Sequence, residues 1–156
     1  MSVQSAEDKL AVAETLYRYA VGVDTRDWAL YRAQFADRVR VDFSSYNGWP
    51  AVDVSADDWV AGVQPSFHGL HASQHMMANP LVDIAGDTAH IRMYMQATHV
   101  LDPDDAAGSY TVGGYYDNDL VRAGDRWLLT VVKLTLLWRV GDPAIMDAAR
   151  AAGRRA

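Results

Sequence analysis

The sequence lacks cysteine, long apolar runs and an excess of basic residues. With zero cysteines in 156 residues, a disulfide framework and thiolate chemistry are both excluded. No apolar run approaches the ~20 residues that span a bilayer. The opening residues MSVQSAEDKL have no basic region followed by an apolar stretch, so no secretory signal is expected. We therefore expect a cytoplasmic protein that has no membrane partner.

The charge balance is acidic. Lysine and arginine together number 14, against 20 aspartates and glutamates, which gives a formal net charge of −6. Such a surface repels phosphate backbones, and the basic residues form no cluster apart from the terminal pair Arg154 and Arg155. The composition therefore argues against nucleic acid as a partner.

The composition that remains is typical of a packed domain. Hydrophobic residues make up 50% of the chain, which excludes a disordered protein. The length fits a single domain over residues 1–156. We expect its core at about 8–140 and a C-terminal helix at about 143–152.

The first third of the chain has the periodicity of helices. Ser5 followed by Asp8 is a capping signal, and apolar residues then recur every three or four positions. Gly22 is a plausible stop, which would place Asp24 just beyond the helix, at a turn. A short second helix carries Trp28, Tyr31 and Phe35 on one stripe. A half-buried strand follows, with Val39, Val41 and Phe43 on one face, and then a third helix capped by Ser55 with Asp58.

From residue 70 onward the apolar period changes to two, which predicts strands. These lie near residues 70–78, 80–85, 88–100, 109–122 and 126–139, with turns at Asn79–Pro80, Gly86–Asp87, Asp102–Pro103 and Gly124–Asp125. Pro143 opens a last helix. Helices first and strands afterwards predict an α+β fold, with helices on one face of a curved antiparallel or mixed sheet.

Two histidines, His71 and His75, suggest a metal site, because a pair spaced by three residues binds zinc when it lies on a helix. The segment HASQH lacks the glutamate of that motif and lies in a strand-like stretch. Four residues of strand span about 13 Å, which is too far for one ion. We therefore expect no metal.

A better constellation pairs Asp24 with His75. A carboxylate that binds one imidazole nitrogen fixes the tautomer and leaves the other nitrogen free as a base. The spacing alone leaves a structural alternative open, in which Asp24 caps the second helix and His75 is a hydrogen-bonded wall residue.

Several segments resemble a known family. The stretch YRYAVGVDTRDWALYRAQFADRVRVDF resembles the opening of scytalone dehydratase and the wider SnoaL-like group, which have the cone-shaped nuclear-transport-factor-2-like fold. The segments ASQHMMANPLVDIAGDTAHIRMYMQATH, GGYYDNDLVRAGDRWLL and VVKLTLLW resemble later parts of the same group. The resemblance covers about residues 8–140 and implies the fold more firmly than the activity, because this fold hosts many functions.

The resemblance also implies a set of site residues. Asp24 and His75 correspond to the family's aspartate and histidine, His99 to a second pocket histidine, and Asn118 to a pocket asparagine. Scytalone dehydratase polarises the substrate carbonyl with two tyrosines, and the corresponding residues here are Val23 and Phe43. The carbonyl-activating groups are therefore missing or relocated, with Tyr46, Tyr115 and Tyr116 as the candidates.

These residues lead to the expectation of a small lyase. His75 would remove a proton from carbon, oriented by Asp24, and His99 would act as an acid or bind the leaving oxygen. The substrate would be an apolar or aromatic, hydroxylated small molecule, and no organic cofactor is expected because no glycine-rich phosphate loop is present. The expected substrate-binding residues are Asn118, Tyr116, Phe43, Tyr46, Phe67, Met77, Met93, Leu136 and Trp138.

Two alternatives stay open. One is another enzyme of the same fold, an isomerase or a polyketide cyclase; the other is a non-catalytic ligand-binding or assembly subunit.

We also expect a homo-oligomer, a dimer or a trimer, because the outer face of the sheet should carry apolar residues such as Leu128, Val132 or Tyr115.

Overall fold

In the computed structural model, five helices and six strands occupy the described part of the chain, residues 3–105 and 107–155. The helices are α1 (Val3–Thr25), α2 (Trp28–Arg32), α3 (Ser44–Asn47), α4 (Ala56–His68) and α5 (Ala144–Gly153). The strands are β1 (Phe35–Asp42), β2 (Val52–Ser55), β3 (Ala72–Ala85), β4 (Thr88–Val100), β5 (Ser109–Ala123) and β6 (Arg126–Gly141).

The six strands form one curved, unclosed sheet in the order β2-β1-β6-β5-β4-β3. All neighbours are antiparallel except β1 and β6, which are parallel. The predicted α+β fold with a mixed sheet is therefore confirmed. The elements α3 and β2 were not predicted, because four residues are too few to establish a period.

Helix α1 extends farther than expected. Gly22 was expected to end it, but the helix continues to Thr25, so Asp24 lies in its last turn. The glycine serves close packing, since an added Cβ would lie 2.7 Å from the backbone nitrogen of Tyr31. The chain turns instead at Arg26, whose φ is 59°. At the other end α1 already includes Ser5, so the expected cap at that residue is wrong.

Strand β3 is one continuous edge strand with a bulge, where the sequence predicted two strands separated by a turn. Asn79 has a φ of 54°, a left-handed conformation that asparagine tolerates. The pairing with β4 shifts by one residue between Ala78 and Leu81. Pro80 is compatible with this position because an edge strand leaves one side of its backbone unpaired.

The core lies on the inner face of the sheet. On β4 every second residue from Ala89 to Ala97 is buried and those between are exposed, as in a sheet covered on one face. Val132 is fully buried, so the expectation that it faces outward is wrong. A one-residue bulge of β6 opposite Asp119 and Leu120 reverses its alternation. The predicted homo-oligomer stays a prediction.

Capping hydrogen bonds fix the starts of α4 and α5, two helices that contact each other. Ser55 accepts a hydrogen bond from the backbone of Asp58 at 3.0 Å, and its hydroxyl donates to the Asp58 carboxylate at 2.6 Å, which confirms the predicted start of α4. Asp142 similarly accepts from the backbone nitrogen of Ala144 at the start of α5. Both helices border the cavity described next.

Candidate active site

A cavity of about 420 Å³ lies between the helices and the inner face of the sheet. Its wall is mostly apolar, with histidines, tyrosines and small polar groups at intervals, which is the composition of a small-molecule site. The lining residues used below are Tyr19, Tyr31, Phe43, Tyr46, Trp49, Trp59, Phe67, His75, His99, Tyr116 and Arg150.

Asp24 and His75 meet at this wall. The Nδ1 atom of His75 lies 2.7 Å from Oδ1 of Asp24, and the backbone nitrogen of His75 donates to Oδ2 at 2.6 Å. Both side chains are shielded, at 7% exposure for His75 and 16% for Asp24. A carboxylate bound to Nδ1 directs the second ring nitrogen, Nε2, away from Asp24, and His75 borders the cavity.

Ser73 completes the surroundings of Asp24. Its hydroxyl donates to Oδ1 at 2.8 Å, from a position two residues before His75 on the same face of β3. Burial raises the pKa of the Asp24 carboxyl, but the hydrogen bonds and charge of His75 and the Ser73 hydroxyl outweigh burial and hold the pKa below its usual value. Asp24 is therefore an anion at neutral pH.

His99 lies beside His75 with its ring perpendicular, the centroids 5.7 Å apart. Burial, reinforced by the charge of His75, lowers the pKa of His99 to about 4. His99 is therefore neutral at pH 7. Its Nδ1 atom lies 3.3 Å from the carbonyl oxygen of Tyr110, so Nδ1 carries the proton and donates. Nε2 then carries no proton. It can accept a hydrogen bond from a ligand hydroxyl, but it cannot donate a proton to a leaving group.

Three buried tyrosines form a polar cluster in the same wall. The hydroxyls of Tyr19 and Tyr116 lie 3.4 Å apart, and Trp59 donates to the Tyr31 hydroxyl at 3.1 Å. Burial raises the pKa of all three phenols, so they keep their protons at neutral pH. The cluster can therefore supply hydrogen-bond donors to a ligand oxygen.

The expected site residues divide between the cavity and other places. Phe43, Tyr46 and Phe67 line the cavity together with His75, His99 and Tyr116. Met77 instead lines an outer cleft between α1 and β3, which Asp24 also borders. Tyr115, one candidate for a relocated phenol, is on the outer face, where the guanidinium of Arg92 lies 4.7 Å from its ring centre.

Four further expected residues lie outside the cavity wall. Met93 and Asn118 are fully buried in the core, and Asn118 accepts from the backbone of Lys133 at 3.2 Å. Leu136 packs half-buried against the core. Trp138 lies on the outer face, 44% exposed, because a bulge opposite Gly113 and Gly114 shifts the pairing by one residue. Its indole covers Gly113, where a Cβ would lie 2.1 Å from the ring.

Arg26 connects the elements that carry the site. Its guanidinium donates to the carbonyl oxygens of Phe67 at 3.0 Å and Leu70 at 2.8 Å, which joins the end of α1 to the end of α4. Phe67 packs against both histidine rings, with centroids 6.0 Å from His75 and 5.9 Å from His99. Arg26 thereby positions the aromatic wall beside the histidines.

The sequence reading missed Ser73, Tyr19 and Arg26. Ser73 had a readable signal, since residues two apart on a strand share a face. Tyr19 lies one helical turn before Val23 and therefore on the same side of α1. Arg26 had no such signal in the sequence, because the carbonyl groups to which it donates come near it only in the folded chain.

Within residues 3–105 and 107–155, no three histidine or acidic side chains are grouped so that they could hold a metal ion. His71 is exposed at the start of β3. None of the helices in that part of the chain is long and apolar enough to cross a bilayer.

The family profile of the SnoaL-like domain matches residues 4–133. The chain belongs to the SnoaL-like domain family. This SnoaL-like match includes α1, β3, β4 and β5, which carry Asp24, His75, His99 and Tyr116, and it ends before α5. The predicted family resemblance is thus confirmed.

Solved structures similar to this SnoaL-like chain support the same fold. A protein from Kribbella flavida is 31% identical, with 94% of this chain and 99% of that chain covered and a TM-score of 0.84. A candidate aromatic ring hydroxylase from Novosphingobium aromaticivorans is 26% identical, with 92% and 97% covered and a TM-score of 0.78. No curated protein matches the sequence.

A third similar structure is a candidate scytalone dehydratase, also from Novosphingobium aromaticivorans. It is 14% identical, with 91% of this chain and 92% of that chain covered and a TM-score of 0.78. At this identity the likeness shows the fold alone. Other similar structures belong to the NTF2-like family or have a cystatin-like fold.

Proposed function

We propose that this protein is a small-molecule lyase of the dehydratase type, in which the Asp24–His75 pair is the general base. The observation that carries the proposal is the hydrogen bond between Asp24 Oδ1 and His75 Nδ1, at 2.7 Å, in the wall of a largely apolar cavity. A general base needs a neighbour that orients it and access to the substrate. The contact with Asp24 supports the first requirement, and the position of His75 in the cavity wall supports the second.

The reaction begins with removal of a proton from a carbon next to a substrate carbonyl. Nε2 of His75 accepts the proton, and the anionic Asp24 stabilises the imidazolium that results. The C–H electrons form an enolate and then a C=C bond as the β C–O bond breaks. The departing hydroxide takes the proton back from His75 and leaves as water. Positioned acid–base groups of this kind typically contribute about 10²–10⁴-fold.

The enolate oxygen needs hydrogen-bond donors. Tyr19 and Tyr116 are the best placed, because their hydroxyls lie 3.4 Å apart, both line the cavity and both keep their protons. They would supply the carbonyl-activating groups that Val23 and Phe43 cannot. His99, neutral with Nε2 as an acceptor, would hold the substrate hydroxyl before it departs.

A panel of aromatic β-hydroxy ketones tests this proposal. Wild-type protein in D₂O should exchange the α-proton, seen by NMR, and form the conjugated enone, seen by ultraviolet absorbance. The Asp24→Asn variant should do neither at a comparable rate. The matched control is Asp119→Asn, which disrupts a similar aspartate–histidine contact, Asp119 to His90 at 2.8 Å, on the outer face of the sheet.

The outcomes separate the alternatives. Exchange without enone formation favours an isomerase or a polyketide cyclase, in which the abstracted proton returns or the enolate attacks. Binding of panel members without exchange in the wild type favours a non-catalytic ligand-binding or assembly subunit. Equal exchange in wild type and Asp24→Asn overturns the general-base role of the pair.

A further inference from the structure

The cavity wall contains a single permanently charged side chain, Arg150, among the described residues that line it. The other lining residues are apolar, aromatic or neutral polar groups and two histidines. Arg150 lies on α5 one turn after Met146, and both border the cavity, Arg150 from a position that is also exposed to solvent. A cation in the wall of an apolar cavity constrains which ligand the cavity accepts.

The guanidinium of Arg150 is unpaired within the described part of the chain. It forms no ion pair or side-chain hydrogen bond with any residue in 3–105 or 107–155. The other lining residues include no aspartate or glutamate. Some arginines of this acidic chain do pair with a carboxylate, as Arg32, Arg40, Arg92 and Arg122 do. Arg150 is left available for an external anion.

The helix that carries Arg150 is held firmly in place. An added Cβ at Gly69 would lie 1.8 Å from the carbonyl oxygen of Ala149, and one at Gly153 would lie 1.9 Å from that of Pro65. Both glycines therefore allow α4 and α5 to pack with backbone against backbone. Ile145 and Ala149 of α5 are buried. The backbone of Arg150 is thus fixed relative to the cavity wall.

From this arrangement we infer that the ligand of the cavity is an aromatic or apolar carboxylate, whose carboxylate group pairs with Arg150. This inference rests on the proposed function for the role of the Asp24–His75 pair, and adds the charge of the substrate. A planar guanidinium matches the two oxygens of a carboxylate. One arginine balances a single negative charge, so a carboxylate fits better than a phosphate dianion.

Arg150 lies beyond the family match, since the SnoaL-like profile ends at residue 133 and α5 begins at Ala144. Aromatic side chains that also line the cavity, Tyr46 and Phe67 among them, supply the surface for an apolar ring. Trp49, 74% exposed, borders the cavity from the segment after α3.

Paired ligands test this inference without requiring turnover. The probes are benzoate, cinnamate and 2-naphthoate, each compared with its neutral carboxamide by isothermal titration calorimetry. Wild-type protein should bind the acids about 10-fold more tightly than the amides, since a hydrogen bond to a charged group is stronger than one between neutral groups. Arg150→Met should abolish this preference and leave amide affinity unchanged, and Arg150→Lys should restore part of it. Arg139→Met, a substitution of a β6 arginine outside the cavity wall, is the matched control.

Equal affinity for acids and amides in the wild type would overturn the inference, and so would a preference that survives in Arg150→Met. Failure of every acid to bind at millimolar concentration would overturn it as well. These results are distinct from failure of the proposed function. Asp24→Asn should still bind acids more tightly than amides even if it no longer exchanges the α-proton. If the wild type exchanges the α-proton of neutral ketones but does not prefer acids, the lyase proposal remains intact.

Discussion

His75 binds the carboxylate of Asp24 twice, through its backbone nitrogen to Oδ2 at 2.6 Å and through Nδ1 to Oδ1 at 2.7 Å. The first contact needs no imidazole, so it persists when the side chain of His75 is replaced. The second sets the tautomer of the ring. The backbone contact holds Asp24 against β3, and the ring contact sets which nitrogen of His75 carries the proton. Substitutions can therefore test the two contacts separately.

Asp24→Asn tests the charge of the pair. The amide keeps the shape but loses the anion that stabilises imidazolium, so we expect proton exchange to fall by about 10⁴-fold, as for the orienting carboxylate of a comparable pair. An amide also places its NH₂ group against at least one of the N–H and O–H donors that surround Asp24, so the free energy of unfolding should fall by about 1–3 kcal/mol. NMR exchange rates and urea denaturation measure the two effects. Normal exchange in the variant would contradict the role of the pair.

Tyr19→Phe tests the phenol cluster. It removes the hydroxyl that lies 3.4 Å from that of Tyr116 while keeping the ring in the core. Loss of one donor to a developing oxyanion typically costs about 10²–10³-fold in rate, and we expect a loss of that order in enone formation. Tyr17→Phe is the matched control, because Tyr17 is on the same helix but lines the outer cleft. Equal rates for both variants would exclude Tyr19 as a donor.

His99 predicts a specific dependence of stability on pH. Its pKa is about 4 in the folded protein, against an ordinary value of 6.5. Between these values the unfolded chain binds the proton and the folded chain does not, so stability falls as pH is lowered from about 6.5 and levels near 4. The shift corresponds to about 3 kcal/mol. Between pH 6.5 and pH 4 the unfolding free energy of His99→Phe should therefore fall by about 3 kcal/mol less than that of the wild type. Parallel curves of unfolding free energy against pH for the two proteins would contradict the prediction.

Two glycines of the helices form a matched pair for a packing test. Gly22→Ala places a Cβ 2.7 Å from the backbone nitrogen of Tyr31, and overpacking of this kind typically costs about 1–3 kcal/mol. Gly62→Ala meets nothing within 4 Å on α4 and should gain up to about 1 kcal/mol from helix propensity. Urea midpoints should therefore move in opposite directions. A stabilised Gly22→Ala would show that the helices separate readily.

Local patterns in the sequence predicted most of the fold. The alternation on β4 matched residues 88–100, because an antiparallel strand covered on one face leaves a regular record of burial. The alternation failed at bulges. Val132 and Trp138 were assigned to the wrong faces, since β6 has one extra residue opposite Asp119 and Leu120 and another opposite Gly113 and Gly114. Each extra residue reverses the alternation that follows it and has no local signature in the sequence.

The site was predicted less completely than the fold. Asp24 and His75 could be paired through the family resemblance, although they are 51 residues apart. Helical spacing places Tyr19 on the same side of α1 as Val23, but it does not show that its hydroxyl approaches that of Tyr116, 97 residues away in sequence. Arg150 lies on a helix beyond the family match. Contacts between distant segments depend on the tertiary fold, so composition and period carry no information about them.

The bulge at Asn79 changes which alternate residues of β3 face inward. Before it the odd residues His75 and Met77 pair with inward residues of β4, and after it the even residues Val82 and Ile84 do. Deleting a single residue here would therefore force a choice: keep the histidine pointing inward and turn the apolar end of β3 to solvent, or the reverse. The length of this strand, and not only its composition, therefore decides which of its side chains face inward.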